Sequence, residues 1–262
     1  MNFDFVFVVL VYRNTFDLKD FFQSFAIPDS KVIIVNSFYD HESEDVFRTI
    51  ASENKADFLS VPNKGYGYGN NRGCEYALNH YQFKYLIISN ADILIRHLDI
   101  RELNPAVVSA PNIKTLKGKS QNPAKPYRIP YSDAFMYHCI IHKHKKLWWI
   151  PIIANKFVRE IFLLANKFKM TDKIYEPHGS FIIFPHAIIR QEYPLFNEEM
   201  FLFCEEDHIA LKFRRDNIGV VYNRKVKILH KEDGSVSTVR NVREIINKSF
   251  VTYYKHWYKK PI

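Results

Sequence analysis

The chain has 262 residues, enough to bury a sizeable core in one large domain or two small ones. With 47% hydrophobic and 25% charged residues, its composition excludes a disordered chain. Lys and Arg outnumber Asp and Glu by 37 to 28, and the net charge of +9 suits an anionic partner: nucleic acid, a phosphorylated ligand or an anionic membrane face.

The first run, FDFVFVVLV, carries Asp4 and has neither a basic leader nor a small-residue cleavage site. It reads as a buried strand over 3–11 and not as a signal segment. A helix is expected over 16–25, a strand over 31–35, a helix over 43–54 and a strand over 57–61. A helix over 70–81 and a strand over 84–89 follow. These strands are near-continuous runs of Val, Ile and Phe, as expected when helices cover both faces of a sheet. Such alternation predicts an α/β fold with a mostly parallel central sheet. Ligands then bind beyond the carboxyl ends of the strands, so the segments after Val11, Val35, Val61 and Ser89 should line one crevice.

The second half reads differently. Residues 106–110 form a candidate strand, 114–133 a loop rich in Lys, Pro, Ser and Asn. Residues 143–170 are basic and apolar together. HGSFIIF (178–184) is a strand, and 205–217 a helix with acids at its start and bases at its end. IGVVYN and VKILH are strands, and the C-terminal segment is a basic, aromatic helix. No apolar stretch reaches a membrane span. Cys74, Cys139 and Cys204 lie far apart without zinc spacing, which predicts a reduced, cytosolic protein.

Residues 63–73 read NKGYGYGNNRG. The dinucleotide fingerprint G-x-G-x-x-G does not fit, since its last position falls on Asn70 or Arg72, and no Gly-Lys-Ser/Thr follows for a P-loop. A helix start near Asn70 remains as a place for an anion. The run does, however, match the pattern N-x-G-aromatic-small-x-G-x-N-x-G through Asn63, Gly65, Tyr66, Gly67, Gly69, Asn71 and Gly73. VVLVYRN (8–14), VIIVNSFYD (32–40), LIISNADI (86–93), HGSFIIFPHAIIR (178–190), FLFCEEDHIALKFRRDNIG (201–219) and ILHKEDGSVS (228–237) stand in order around it. Together they resemble the family 2 nucleotide-sugar glycosyltransferases of GT-A type, over nearly the whole chain except about 112–176. The resemblance implies a single GT-A domain over 1–262. It has a nucleotide-sugar half (1–111), a variable acceptor-side insert (112–177) and an acceptor and catalytic half (178–262) ending in an amphipathic helix.

That likeness implies an inverting, metal-dependent hexosyl transfer from a UDP- or dTDP-sugar to a glycan acceptor, lipid-linked, in bacterial surface polysaccharide synthesis such as capsule or O-antigen. A divalent ion, Mn²⁺ or Mg²⁺, would bridge the diphosphate. Asp92, in the N-x-D form of the D-x-D segment, and His230 are its implied protein ligands. Taken singly, Asp92 reads equally as a cap before Ile93, and His230 as a strand-end histidine. Asp207 is the expected general base and Glu206 the alternative, because three consecutive acids, Glu205 to Asp207, leave the register open by one. Tyr12, Asn14, Asn36, Asn63, Gly65, Asn71, Asn90 and Ala91 are the expected nucleotide-sugar contacts. Asn36 stands where the family often has Asp, and would receive a base N3–H through its carbonyl oxygen. Gly179, Ser180 and Glu205 are expected on the acceptor side. The basic, aromatic segments 143–170 and 243–260 read either as amphipathic helices packed on the core or as peripheral contact with the anionic inner membrane face through Trp148, Trp149, Tyr253, Tyr254, Trp257 and Tyr258. A nucleic-acid-binding protein would leave Asn90-Ala91-Asp92 and the acidic triplet without a role. A nucleotidyltransferase would need a Gly-rich basic loop after the first strand, and Tyr12 to Leu18 contains neither Gly nor Lys. An inactive sugar-nucleotide-binding relative is the third alternative.

Overall fold

A computed structural model describes residues 2–129, 131–144, 146–232 and 241–259. The elements in chain order are β1 (Asn2–Val11), α1 (Thr15–Ser24), β2 (Ser30–Ser37), α2 (His41–Glu53), β3 (Asp57–Val61), α3 (Tyr66–His80), β4 (Gln82–Asn90) and β5 (Ile93–His97). Then come β6 (Val107–Thr115), α4 (Ser132–Ile141), α5 (Trp149–Ala165), β7 (Thr171–Ile174), β8 (Phe181–Pro185), α6 (His186–Glu192), α7 (Glu205–Arg215), β9 (Gly219–His230) and α8 (Val242–Tyr258). One nine-stranded sheet runs β3-β2-β1-β4-β8-β6-β9-β5, with β7 also paired to β9. It is parallel from β3 to β4 and mixed beyond: β8 is antiparallel to β4 and β6, while β6 and β9 are parallel.

The apolar runs have a direct cause. On β1, Val6 and Val8 enter a core shared with Cys74 and Ala77 of α3 and with α6 and α7. Phe5, Phe7 and Val9 enter the opposite core with Leu18 and Phe21 of α1 and Phe47 and Ile50 of α2. Both faces are buried, so no polar alternation is possible. Helix starts follow local capping: the Asn14 side chain accepts from the Phe16 N–H, and Asp40 from the Ser43 N–H.

Some elements differ from the sequence expectation. Helix α3 begins at Tyr66, not near Asn70, because Gly65 at φ 112° makes the turn and the Tyr66 N–H donates to the Phe201 carbonyl (2.8 Å). The glycine run therefore serves packing as much as ligand approach. A Cβ at Gly73 would overlap Val8 and Val35 of the sheet beneath. Strands β5 and β7 and helix α6 were not expected, and IGVVYN and VKILH form one continuous strand, β9. The aromatic residues of α8 face the protein. Tyr253 is buried with its hydroxyl donating to Asp133 (3.0 Å), Tyr254 stacks on Tyr137 of α4, and the Trp257 indole N–H donates to His208 (3.0 Å). Their expected place at lipid headgroups thus gives way to intramolecular contacts. Among the described residues no helix is long and apolar enough to cross a membrane.

Candidate active site

A crevice of about 810 Å³ opens beyond the carboxyl ends of β1, β2 and β4. Tyr12, Asn14, Asn63, Gly65, Asn90, Ala91, Asp92, Gly179, Ser180, Glu205, Glu206 and His230 all line it. Asn36, Asn71 and Asp207 are not among the lining residues. Buried Asn71 ties α3 to the segment before α7. Its side-chain oxygen accepts from the Leu195 and Phe196 N–H groups (both 3.1 Å), and its amide donates to the Phe196 carbonyl (2.9 Å). Asn36 lies one residue behind the lining Ser37. Its amide donates to Ser60 (3.2 Å), and its buried carbonyl oxygen has no partner.

The pairing of β5 with β9 aligns Ile93 with His230. That register brings the preceding Asp92 beside the histidine, with Oδ2 to Nε2 at 3.1 Å, both residues buried. On the other side of the ring, Nδ1 meets the Gln121 carbonyl oxygen at 2.7 Å, so it carries the proton and donates. Held this way, the ring turns its Nε2 toward the Asp92 carboxylate. A cation satisfies both groups. The 3.1 Å separation also matches neighbouring ligands on an octahedral ion with ~2.1 Å bonds, which lie ~3.0 Å apart. One carboxylate and one imidazole are ligands that Mn²⁺ or Mg²⁺ would accept. Among the described residues no group of three or more His, Cys, Asp or Glu forms a complete protein cage. Residues 233–237 of ILHKEDGSVS lie outside the described residues.

Opposite stands the start of α7. Glu206 accepts from the Gly179 N–H through Oε1 (3.0 Å), and glycine is needed there because a Cβ would occupy the carboxylate's place. Burial and the charge of Asp207 raise its pKa against the backbone donors that lower it. Glu205 is buried, its Oε1 has no partner, and burial followed by the Glu206 charge pushes it well above the ordinary carboxylate range. Asp207 turns elsewhere and forms an ion pair with Lys125, which also sits 2.9 Å from Glu176. Burial opposes the charge on Lys125, but the two acids outweigh it and hold the ammonium form. One ammonium cannot neutralise two carboxylates, so the surplus falls on fully buried Glu176, which burial and Asp207 push toward protonation.

Four further residues shape the crevice. His178 Nδ1 accepts from the Ser180 N–H (3.2 Å), and burial, then His230, pulls its pKa down to about 4. It is therefore neutral at neutral pH. The Tyr66 hydroxyl donates to the Gly179 carbonyl (2.9 Å) and fixes the backbone that holds Glu206. Arg13, at φ 63°, lays its guanidinium 4.1 Å from the Tyr39 ring centroid. Gln121 orients His230. Tyr66 was visible as the aromatic of the glycine run, but Gln121 and His178 carried no signal of their own spacing.

This sheet, with its crevice at the strand ends, has the GT-A fold. The chain is 23% identical over 233 residues to the low-salt glycan biosynthesis hexosyltransferase Agl10 of Haloferax volcanii, a match covering 86% of this chain and 66% of that protein. TarS of S. aureus superposes with a TM-score of 0.55 at 12% identity, over 87% of this chain and 36% of that one. GalNAc-T7, solved with UDP, GalNAc and Mn²⁺, superposes with a TM-score of 0.63 at 11% identity, over 97% of this chain and 48% of that one. The chain thus spans about two thirds of the sequence relative and half or less of the two solved proteins. No protein-family model matches it. Together these comparisons support a glycosyltransferase.

Proposed function

We propose that the chain is a metal-dependent, inverting hexosyltransferase that moves a sugar from a UDP- or dTDP-sugar to a hydroxyl of a glycan acceptor. One observation carries this reading: the Asp92–His230 pair and the Glu205–Glu206 pair share one crevice. Asp92 and His230 would hold Mn²⁺ or Mg²⁺, which would supply positive charge to a departing diphosphate. Asn36, buried behind the lining Ser37, is left out of the base contacts. Tyr12 and Arg13 border the base and ribose side, with Asn14, Asn63 and Asn90 as polar contacts. Glu206 takes the proton of the attacking hydroxyl. It is preferred to Asp207 because it lines the crevice, while Asp207 is engaged by Lys125. Its raised pKa suits a base working near neutral pH. Glu205, whose carboxyl burial pushes well above the ordinary range, donates or accepts at an acceptor hydroxyl beside Gly179 and Ser180. The acceptor is a glycan of a surface polysaccharide carried on a lipid.

The test is a thermal-shift and transfer panel of UDP- and dTDP-sugars, with and without Mn²⁺. Mn²⁺-dependent stabilisation by one nucleotide, followed by release of its diphosphate on addition of a glycan acceptor, is the expected result. Stabilisation by single-stranded nucleic acid in place of every nucleotide sugar would overturn it.

A further inference from the structure

Helix α5 is built inside out. Its inward face carries polar side chains that grip a loop: Asn155 donates to the Ala124 carbonyl (3.0 Å), while Arg159 donates to the Pro123 carbonyl (2.7 Å) and to the Ser120 carbonyl. Phe162 is the one residue of the helix that is fully buried. Its outward face carries Trp149, Ile150, Ile153, Phe157, Ile161 and Leu164, with Phe157 67% and Leu164 70% exposed. These positions recur at helical spacing and form one stripe. A contiguous apolar surface of this kind marks an interaction site.

The rim decides what covers it. Lys143, Lys146, Lys156, Lys167 and Lys169 are exposed around the stripe, and Glu160 is the only acid between Lys143 and Met170. A second copy docked about a twofold axis would bring these like-charged rims together, which is unfavourable. A bilayer with anionic headgroups accepts both parts: the acyl boundary takes the apolar stripe, and the headgroups take the lysines. We infer that α5 lies in the plane of an anionic membrane surface and is the docking element of this protein, in place of the C-terminal helix.

The loop held by Asn155 and Arg159 ties this face to the crevice. Within it, Gln121 orients His230, Asn122 accepts from the His178 N–H (2.7 Å), and Lys125 engages Asp207. Docking therefore fixes the orientation of the crevice relative to the lipid surface. This deepens the sugar-transfer reading by setting where a lipid-linked acceptor is met, yet the docking face can be tested without that reading.

The experiment is co-sedimentation of the 262-residue chain with phosphatidylcholine vesicles, with or without phosphatidylglycerol. Binding is expected with the anionic vesicles and should weaken as salt rises. Phe157→Glu with Ile161→Glu should weaken it about tenfold or more, since each residue removes a buried apolar contact. Lys156→Glu with Lys167→Glu should weaken it about tenfold. Neither pair should change the unfolding midpoint or the Mn²⁺-dependent stabilisation by UDP or dTDP. Absence of vesicle binding by the unaltered chain overturns the proposal, as does binding indifferent to both pairs. A dimer in solution that Phe157→Glu dissociates, without vesicle binding, assigns the face to a second copy instead. Vesicle binding without any metal-dependent nucleotide effect leaves the docking face standing and removes the transfer reading.

Discussion

His230 Nε2 lies 3.1 Å from Asp92 Oδ2, although 138 positions separate the two residues in the sequence. Only the β5–β9 pairing brings them together. Asp92→Ala is expected to abolish sugar transfer and the Mn²⁺-dependent part of nucleotide binding, leaving a weak metal-independent remainder. Calorimetric titration with UDP and dTDP, with and without Mn²⁺, reads this directly. An unchanged Mn²⁺ effect in the variant would remove Asp92 from the metal assignment.

Gln121 should matter at one remove. It fixes the His230 tautomer without reaching the metal position itself. Gln121→Ala is expected to weaken Mn²⁺ affinity by ~10–100-fold while saturating Mn²⁺ restores most of kcat. Failure of rescue at saturating metal would give Gln121 a role other than orienting the ring.

Glu206 and Asp207 are separable. Glu206→Gln keeps the shape and the Gly179 contact, so donor binding should survive while kcat falls by ~10²–10⁴-fold. Asp207→Asn should leave kcat much less affected, with Lys125 still held by its ion pair with Glu176. The reverse pattern would return the base to Asp207. The pH profile supplies a second check. The base works ionised and its pKa is raised, so the acidic limb of kcat/KM should lie above the ordinary glutamate range.

Glu205 should cost stability at neutral pH. Its folded pKa is raised, so folding takes up a proton between the unfolded and folded values. The stability that the protonated form contributes is present below the unfolded pKa and is lost as pH rises through the folded one. Glu205→Gln should therefore raise Tm at neutral pH and flatten its fall with pH, with a loss of activity toward the acceptor. A lower Tm at neutral pH would mean that the carboxylate has a charge partner in solution.

Much of the fold was legible because strands buried on both faces are continuous apolar runs, and β1, β2 and β4 are such runs. β5 escaped because it follows Asp92 closely and half of ILIRH is exposed at the sheet edge. The start of α3 was misplaced because four glycines argue against a helix, and only the contact with Phe201 and the close approach to the sheet reveal one. The metal pair was legible as motif order, not as local chemistry. Gln121 was not, since its role exists only through tertiary contact with β9. The acidic triplet could not be resolved because consecutive helical residues diverge by ~100° around the axis, and packing alone decides which face the crevice. The aromatics of α8 had the composition of a membrane helix but the contacts of a core helix, whereas α5 has the contacts to match its composition.

The place of β8 sets an order of assembly. It fills the slot between β4 and β6, yet both of those strands precede it in the chain. A chain growing from its amino end can complete the parallel block β3-β2-β1-β4 early, but the sheet stays split until residues 181–185 arrive. Until then β4 presents an open edge carrying Leu86, Ile87 and Ile88, a ready template for unwanted pairing. Closure of the sheet is thus a late, long-range event, and the crevice, lined also by Glu206 and His230, is completed later still.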